Sequence, residues 1–293
     1  MILNKCDNNN YLLKEKEHKF DTQFLGKYNK IFVDINLIVD KNYIKYYKAK
    51  NTLIKRYVCL KVINKTKMNK GDYELLLKKL KKERKIIELL QCNNIVNIYD
   101  EYETTDSFFL EFEFCDMTLE QYIKKNGPLE KKINIFINIL KGISNALKIM
   151  NKKGIIHRDI KPSNIFIDYS LSEVKLGGFG YAIFSKENIN EPIGSLYYTA
   201  PEIIKNLPYD EKCDLWSFGV ILYEILFGYL PYGKYVTPNL IKEIIYHNDY
   251  LLIGKTDIPK LNDLFNALLT INKKFRISYC EFFRSINEIN FLY

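Results

Sequence analysis

The stretch HRDIKPSNIFI, His157 to Ile167, lies between a helical pattern and a strand-like one, so it reads as a loop entering a strand. Its polar residues stand at fixed offsets: Asp159, then Lys161 two places on, then Asn164 five places on. On one loop these three form a compact cluster. Asp159 can accept a hydroxyl proton, Lys161 can steady a transferring phosphate, and Asn164 can hold a metal ion. The bland alternative is a polar loop that contains the triplet by chance, and the number of residues at fixed spacing weighs against it.

Working outward, FINILKGISNALKIM before the loop carries helical spacing, and LWSFGVILYEILFG after it has the all-round apolar character of a buried helix. From Ile31 to about Leu110 the signals are mostly strands: IFVDINLIV, YIKYYKAK and RYVCLKVI are rich in β-branched and aromatic residues. One strong helix interrupts them, DYELLLKKLKKERKIIELL. Leu76, Leu80, Glu83, Ile87 and Leu90 share one face of it, and Lys78, Lys81, Lys82 and Lys85 lie elsewhere. That lysine run reads as a solvated face rather than a docking patch. A strand-rich first third and a helix-rich remainder, with no internal repeat, predict an α+β chain in two lobes. Residues 1–30 are polar, contain the run DNNN, and read as an extension.

The chain has 293 residues, 47% of them apolar and 27% charged, which suits a soluble globular protein. The formal charge of +9 is spread along the chain and forms no nucleic-acid motif, so a nucleic-acid partner is not expected. Six cysteines show no CxxC pair and no zinc spacing, as expected of reduced thiols in a cytoplasmic, intracellular protein. The N-terminus has no signal-peptide pattern, and the longest apolar stretch, GVILYEILFGYLPYG, is too short to span a bilayer.

From about residue 31 onward the chain resembles the eukaryotic protein kinases, whose Ser/Thr branch is favoured by KPSN and by GSLYYTAPE. The resemblance implies a bilobal kinase fold: N-lobe 31–112, hinge 113–117, C-lobe 118–293. It casts Lys61 in VCLK as the phosphate-gripping lysine and Glu83, eleven residues before the NIV, as its partner. Phe112 becomes the gatekeeper, and the backbone of Glu113 to Cys115 the adenine contact. Thr199 to Glu202 (TAPE) ends the activation segment, Asp214 anchors the long C-lobe helix, and Arg276 pairs with Glu202. His157 is expected to be a packed loop residue and Trp216 a core anchor. Arg158 is expected to meet a phosphate or an acid on the activation segment, where Ser185, Ser195, Glu187 and Glu191 are available.

Three departures accompany these matches. The family's metal-binding DFG is here Gly178-Phe179-Gly180, and glycine has no side chain to bind Mg²⁺. Asp168 is no substitute, because it precedes the next strand; Asn164 alone is left to hold an ion. The phosphate loop, Val39 to Ile44, has Val39, Lys41 and Ile44 at its three glycine positions, where side chains obstruct phosphate and Asp40 repels it. The residues around adenine are Tyr46, Cys59 and Phe166: two aromatics that either fill the pocket or lie flat against a base. ATP binding is therefore expected to be weak and Mg²⁺ uncertain. The reading is a pseudokinase that regulates or scaffolds a protein partner, for example another kinase. The alternative is a weakly active or metal-independent Ser/Thr protein kinase. Lys61 and Glu83 are expected to pair, and substitution of either to cost little stability, as for exposed pairs.

Overall fold

The structure, a computed structural model, describes residues 22–187, 194–248, 251 and 253–290. Residues 1–21 of the expected extension, and Glu191, lie outside the described residues.

Five strands build the first lobe: β1 (Phe32–Lys41), β2 (Ile44–Asn51), β3 (Arg56–Asn64), β4 (Ile98–Glu103) and β5 (Ser107–Glu113). They form one antiparallel sheet in the order β1-β2-β3-β5-β4. Helix α1 (Lys70–Leu89) crosses between β3 and β4, starting where the Asn69 side chain accepts the Asp72 N–H at 2.8 Å. Leu80, Glu83, Ile86 and Ile87 on α1 are buried. The opposite face of the sheet is apolar too: Tyr47, Ala49, Val58, Leu60, Val62 and Phe109 form a second cluster. It is capped by chain upstream of residue 31. Leu25 is 1% exposed, and the Tyr28 ring stands edge-on to Tyr102 at 4.9 Å. The core of the first lobe thus reaches back into the segment expected as an extension.

The second lobe is mostly helical: α2 (Leu119–Asn126), α3 (Ile133–Lys152), α4 (Pro201–Ile204), α5 (Lys212–Phe227), α6 (Pro238–His247), α7 (Pro259–Leu268) and α8 (Tyr279–Asn290). α2 begins with a capping box, Thr118 and Gln121 each bonding the other's backbone. α5 is buried from Cys213 to Tyr223 without a break, as an all-round apolar helix must be. α3 is long and apolar enough to cross a membrane by length and composition alone, with a mean hydropathy of 1.2; its Phe136, Leu140, Ile143, Leu147 and Met150 are packed in the core.

Short strands place the loops of the cleft. β6 (Met117–Thr118), β8 (Ile165–Ile167) and β9 (Val174–Leu176) form one small sheet. β7 (Ile155–Ile156) pairs with β10 (Ile183–Phe184). The loop 157–164 is therefore held at both ends, by β7 and β8.

Candidate nucleotide and phosphotransfer site

The antiparallel ladder sets Lys61 opposite Tyr46 on one side and Leu110 on the other. Lys61 Nζ meets Glu83 Oε2 at 2.7 Å, so the expected pair forms, with α1 turned inward. The two side chains are only 12% and 5% exposed. Burial pulls the Lys61 pKa down, but Glu83 and the Tyr46 phenol outweigh it and hold the ammonium charged. Because the pair is buried, the small stability effect expected of an exposed pair gives way to a larger one: removing one partner strands a charge. Burial raises the Tyr46 pKa, against the pull of Lys61, and pushes the Cys59 thiol up to about 12.

The loop 157–164 brings Asp159, Lys161 and Asn164 together. Lys161 Nζ lies 2.8 Å from Asp159 Oδ2, and Asn164 Nδ2 donates to the Asp159 carbonyl at 2.8 Å and to Oδ2 at 3.1 Å. Lys161 also donates to Ser195 Oγ at 3.2 Å, joining the loop to the activation segment. Beneath them Asp214, fully buried, accepts the backbone N–H groups of His157 at 2.7 Å and Arg158 at 2.9 Å. Burial raises the Asp214 pKa to about 6, against those two hydrogen bonds. The His157 ring is fully buried, 2.9 Å from the Gly177 carbonyl and 4.6 Å from the Phe179 ring. Burial holds its pKa down at about 4, as befits a packed residue rather than an acid–base catalyst.

Gly178 adopts a left-handed conformation, φ 80° and ψ 38°. A Cβ there would lie 2.5–2.7 Å from the Asn164 carboxamide atoms, so that carboxamide occupies the space of any side chain at 178. A phosphate-bridging Mg²⁺ needs several oxygen ligands. Position 178 offers no side chain, both Asp159 oxygens are engaged by Lys161, and Asn164 points its Nδ2 at Asp159. The residues present do not fit that ion. Asp168 is turned to its own loop, accepting the Glu173 N–H at 2.7 Å. Among the described residues no cluster of three His, Cys, Asp or Glu is placed to hold a metal.

The segment expected as the phosphate loop is a tight hairpin in which Lys41 pairs with Ile44 and, from Val39 to Ile44, only Asn42 has positive φ. Asp40 is tied to Lys45 at 3.1 Å. At the far end of the cleft the hinge is fastened. Glu113 N–H donates to the Asn97 carbonyl at 2.9 Å, which removes it from any base, and the Glu113 carboxylate meets Lys175 at 2.7 Å. Cys115 follows, its thiol pushed up to about 12 by burial. Below, the Phe166 ring is seated where position 177 has no side chain: a Cβ on Gly177 would come within 2.8 Å of Phe166 Cε2. The GlyGly pair at 177–178 was the sequence signal for both holes, yet their occupants, Phe166 and Asn164, could not be read from spacing.

A scan of the sequence against family models matches the protein kinase domain over residues 42–286. The chain belongs to the protein kinase family. Human serine/threonine-protein kinase ULK1 is 35% identical over 242 residues, covering 77% of this chain and 22% of that protein. Serine/threonine-protein kinase ULK3 of Xenopus laevis is 33% identical, covering 82% of this chain and 50% of its own length. Calcium-dependent protein kinase 5 of Plasmodium berghei is 32% identical, covering 78% and 38%. The chain thus spans at most half the length of these relatives. Protein kinase domains in general bind ATP.

Among the described residues of the activation segment, which do not include Glu191, Arg158 forms no ion pair with an acid: its Nε donates to the Tyr181 carbonyl and its guanidinium to the Tyr209 hydroxyl, each at 2.8 Å. Glu187 bonds Lys82 of α1 instead, at 2.7 Å. Farther on, Glu202 and Arg276 form the expected buried pair, two parallel bonds of 2.7 and 2.8 Å, with the guanidinium over the Trp216 ring.

Proposed function

We propose that this kinase domain acts as an intracellular regulatory or scaffold module for a protein partner, with metal-dependent phosphotransfer impaired or lost. The observation that carries this reading is position 178. It lacks the metal-binding carboxylate, and the space for one is filled by Asn164, 2.5 Å from where a Cβ would stand. Without that metal, several kcal/mol of transition-state stabilisation is missing, about 10³-fold or more in rate. The filled glycine positions expected of the phosphate loop and the half-buried Tyr46 ring weigh in the same direction.

A second reading, slow or metal-independent Ser/Thr phosphotransfer, draws support from Lys61 held at 2.7 Å by Glu83 and from the contact of Asp159 with Lys161. Thermal unfolding with nucleotide separates the two. A ligand bound to the native state alone stabilises it by RT ln(1 + [L]/Kd), so ~1 mM ATP against a Kd of ~50 μM gives about 1.8 kcal/mol. That is a melting shift of several degrees. The expected result is little or no shift, with or without Mg²⁺. A shift of several degrees that Mg²⁺ leaves unchanged would favour metal-independent transfer. A shift that appears only with Mg²⁺ would mean that the metal is held after all.

A further inference from the structure

Helix α1 shows solvent a face that the cleft does not use. Leu75, Lys78, Lys82, Lys85 and Leu89 follow one another at steps of three, four, three and four residues. At ~100° per residue these positions fall within a wedge about 80° wide, running ~21 Å along the helix. Of the buried residues, Leu80, Glu83 and Ile87 lie across the cylinder, while Ile86 flanks the Leu75 edge of the stripe. Leu75 is 57% and Leu89 41% exposed. Lys78 and Lys85 between them are exposed and make no ion pair among the described residues. Lys82, at the centre, meets Glu187 with both side chains about one-third exposed (36% and 35%). Single exposed leucines are ordinary. Two leucines bracketing three lysines on one seam are a surface with a definite chemistry.

We propose that this stripe docks an acidic amphipathic helix of a partner protein. Apolar side chains of that helix would cover Leu75 and Leu89, and its carboxylates would face Lys78 and Lys85. A further carboxylate at the centre would compete with Glu187 for Lys82, so that docking would be felt by the activation segment. The charge selects an acidic partner. The stripe is narrow and about 21 Å long with an apolar side chain at each end, dimensions that suit a helix laid along it. A membrane or a nucleic acid fits less well, because the wedge is narrow and the exposed acids Glu74 and Glu88 stand to one side of it. The proposal goes beyond the regulatory reading of the cleft and shares no residue with it, so either can fail alone.

The test uses the full chain and a fluorescent helical peptide of about 21 residues. The peptide carries Leu at both ends of one face and Glu at three positions between, at the same spacing. Anisotropy titration should show saturable binding at low salt that weakens as salt rises. Lys78→Glu with Lys85→Glu should weaken it about tenfold or more, and so should Leu75→Ser with Leu89→Ser. A matching peptide with Lys in place of Glu should bind the double-Glu variant better than the unsubstituted protein. All four positions are exposed, and unchanged thermal melts would confirm that the variants fold. No binding of the peptide, indifference to either pair of substitutions, or failure of the charge swap would overturn the proposal. So would phosphatidylserine vesicles or duplex RNA that lose binding to the same variants more steeply than the peptide does.

Discussion

Replacing Gly178 by Asp restores the family's metal-binding residue in name, and the structure sets the consequence. Gly178 sits at φ 80°, where a side-chain-bearing residue is strained by about 1–2 kcal/mol, Asp being among the better tolerated. Its Cβ would stand 2.5–2.7 Å from three atoms of the Asn164 carboxamide, so Asn164 must turn away. In turning it gives up its hydrogen bonds to the Asp159 carbonyl and Oδ2, at about 0.5–1.5 kcal/mol each. Together these predict a destabilisation of about 2–5 kcal/mol, or a melting point lower by roughly 4–10 °C for a domain of this size. Urea titration measures the first and calorimetry the second. Asn164→Ala in the Gly178→Asp background should recover part of the loss, and a double-mutant cycle gives the coupling directly. Transfer to a generic basic substrate should not appear, because Val39, Lys41 and Ile44 still line the phosphate hairpin. A Gly178→Asp protein as stable as the parent would refute the steric reasoning. Robust Mg²⁺-dependent phosphorylation by it, abolished by Asp159→Asn, would refute the multiple-defect reading.

Two further predictions concern the frame that holds the cleft. Arg276→Ala should destabilise by about 3–5 kcal/mol in denaturant titration, since it strands the Glu202 carboxylate, 4% exposed, without its two bonds; a change under ~1 kcal/mol would contradict the buried pair. For pH, burial lowers the His157 pKa to about 4, so the unfolded chain takes up a proton that the folded chain refuses. The His157 contribution is fully present above about pH 6.5 and is lost as pH falls through about 4, by about 2–3 kcal/mol at pH 4.5. Asp214, raised to about 6, has the opposite sign: the folded chain binds its proton first, so stability rises as pH falls through 6. The two should nearly cancel between pH 6 and 4. His157→Phe should therefore gain about 2–3 kcal/mol on the parent between pH 7 and 4.5, and an unchanged difference would sink the assignment.

The strands and long helices were legible because their patterns are local. RYVCLKVI became β3, Arg56–Asn64, and the helix read from Asp72 begins at Lys70, where Asn69 caps it. Lys61, Glu83, Asp159, Lys161 and Asn164 were legible because the family fixes their offsets, and the fold brings them together accordingly. What escaped the sequence were partnerships between segments whose distance carries no signal. Lys82 and Glu187 are 105 residues apart, and nothing in either neighbourhood points to the other. Glu113 and Lys175 are 62 residues apart, and Asn51 and Glu111, whose 2.7 Å bond lies buried in the first lobe, are 60 apart. The packing of Leu25 was hidden for another reason: its segment is polar in composition, and one leucine on an apolar sheet face leaves no periodicity to read.

The family residues present here share a property that bears on how their presence is weighed. Each has a partner inside the chain that requires no nucleotide. Lys61 is neutralised by Glu83, Asp159 by Lys161, Asn164 is bonded to Asp159, and Asp214 holds two backbone N–H groups of the loop. Glu202 has Arg276, and Tyr198 has Glu224 at 2.7 Å. Removing any of these would leave a buried polar group unpaired, at about 1–3 kcal/mol or more for a charge, whether or not the domain transfers phosphate. The departures fall at positions of the other kind. The side chain missing at 178 and the glycines missing at 39, 41 and 44 belong to contacts with metal and phosphate, which the empty fold does not need. An intact HRD loop with its Lys61–Glu83 pair is therefore what stability alone would keep, and it says little about catalysis. On the reading proposed above, the positions that answer only to chemistry are 178 and the hairpin at 39–44; at 178 Asn164 fills the space, and Ile44 packs against the sheet.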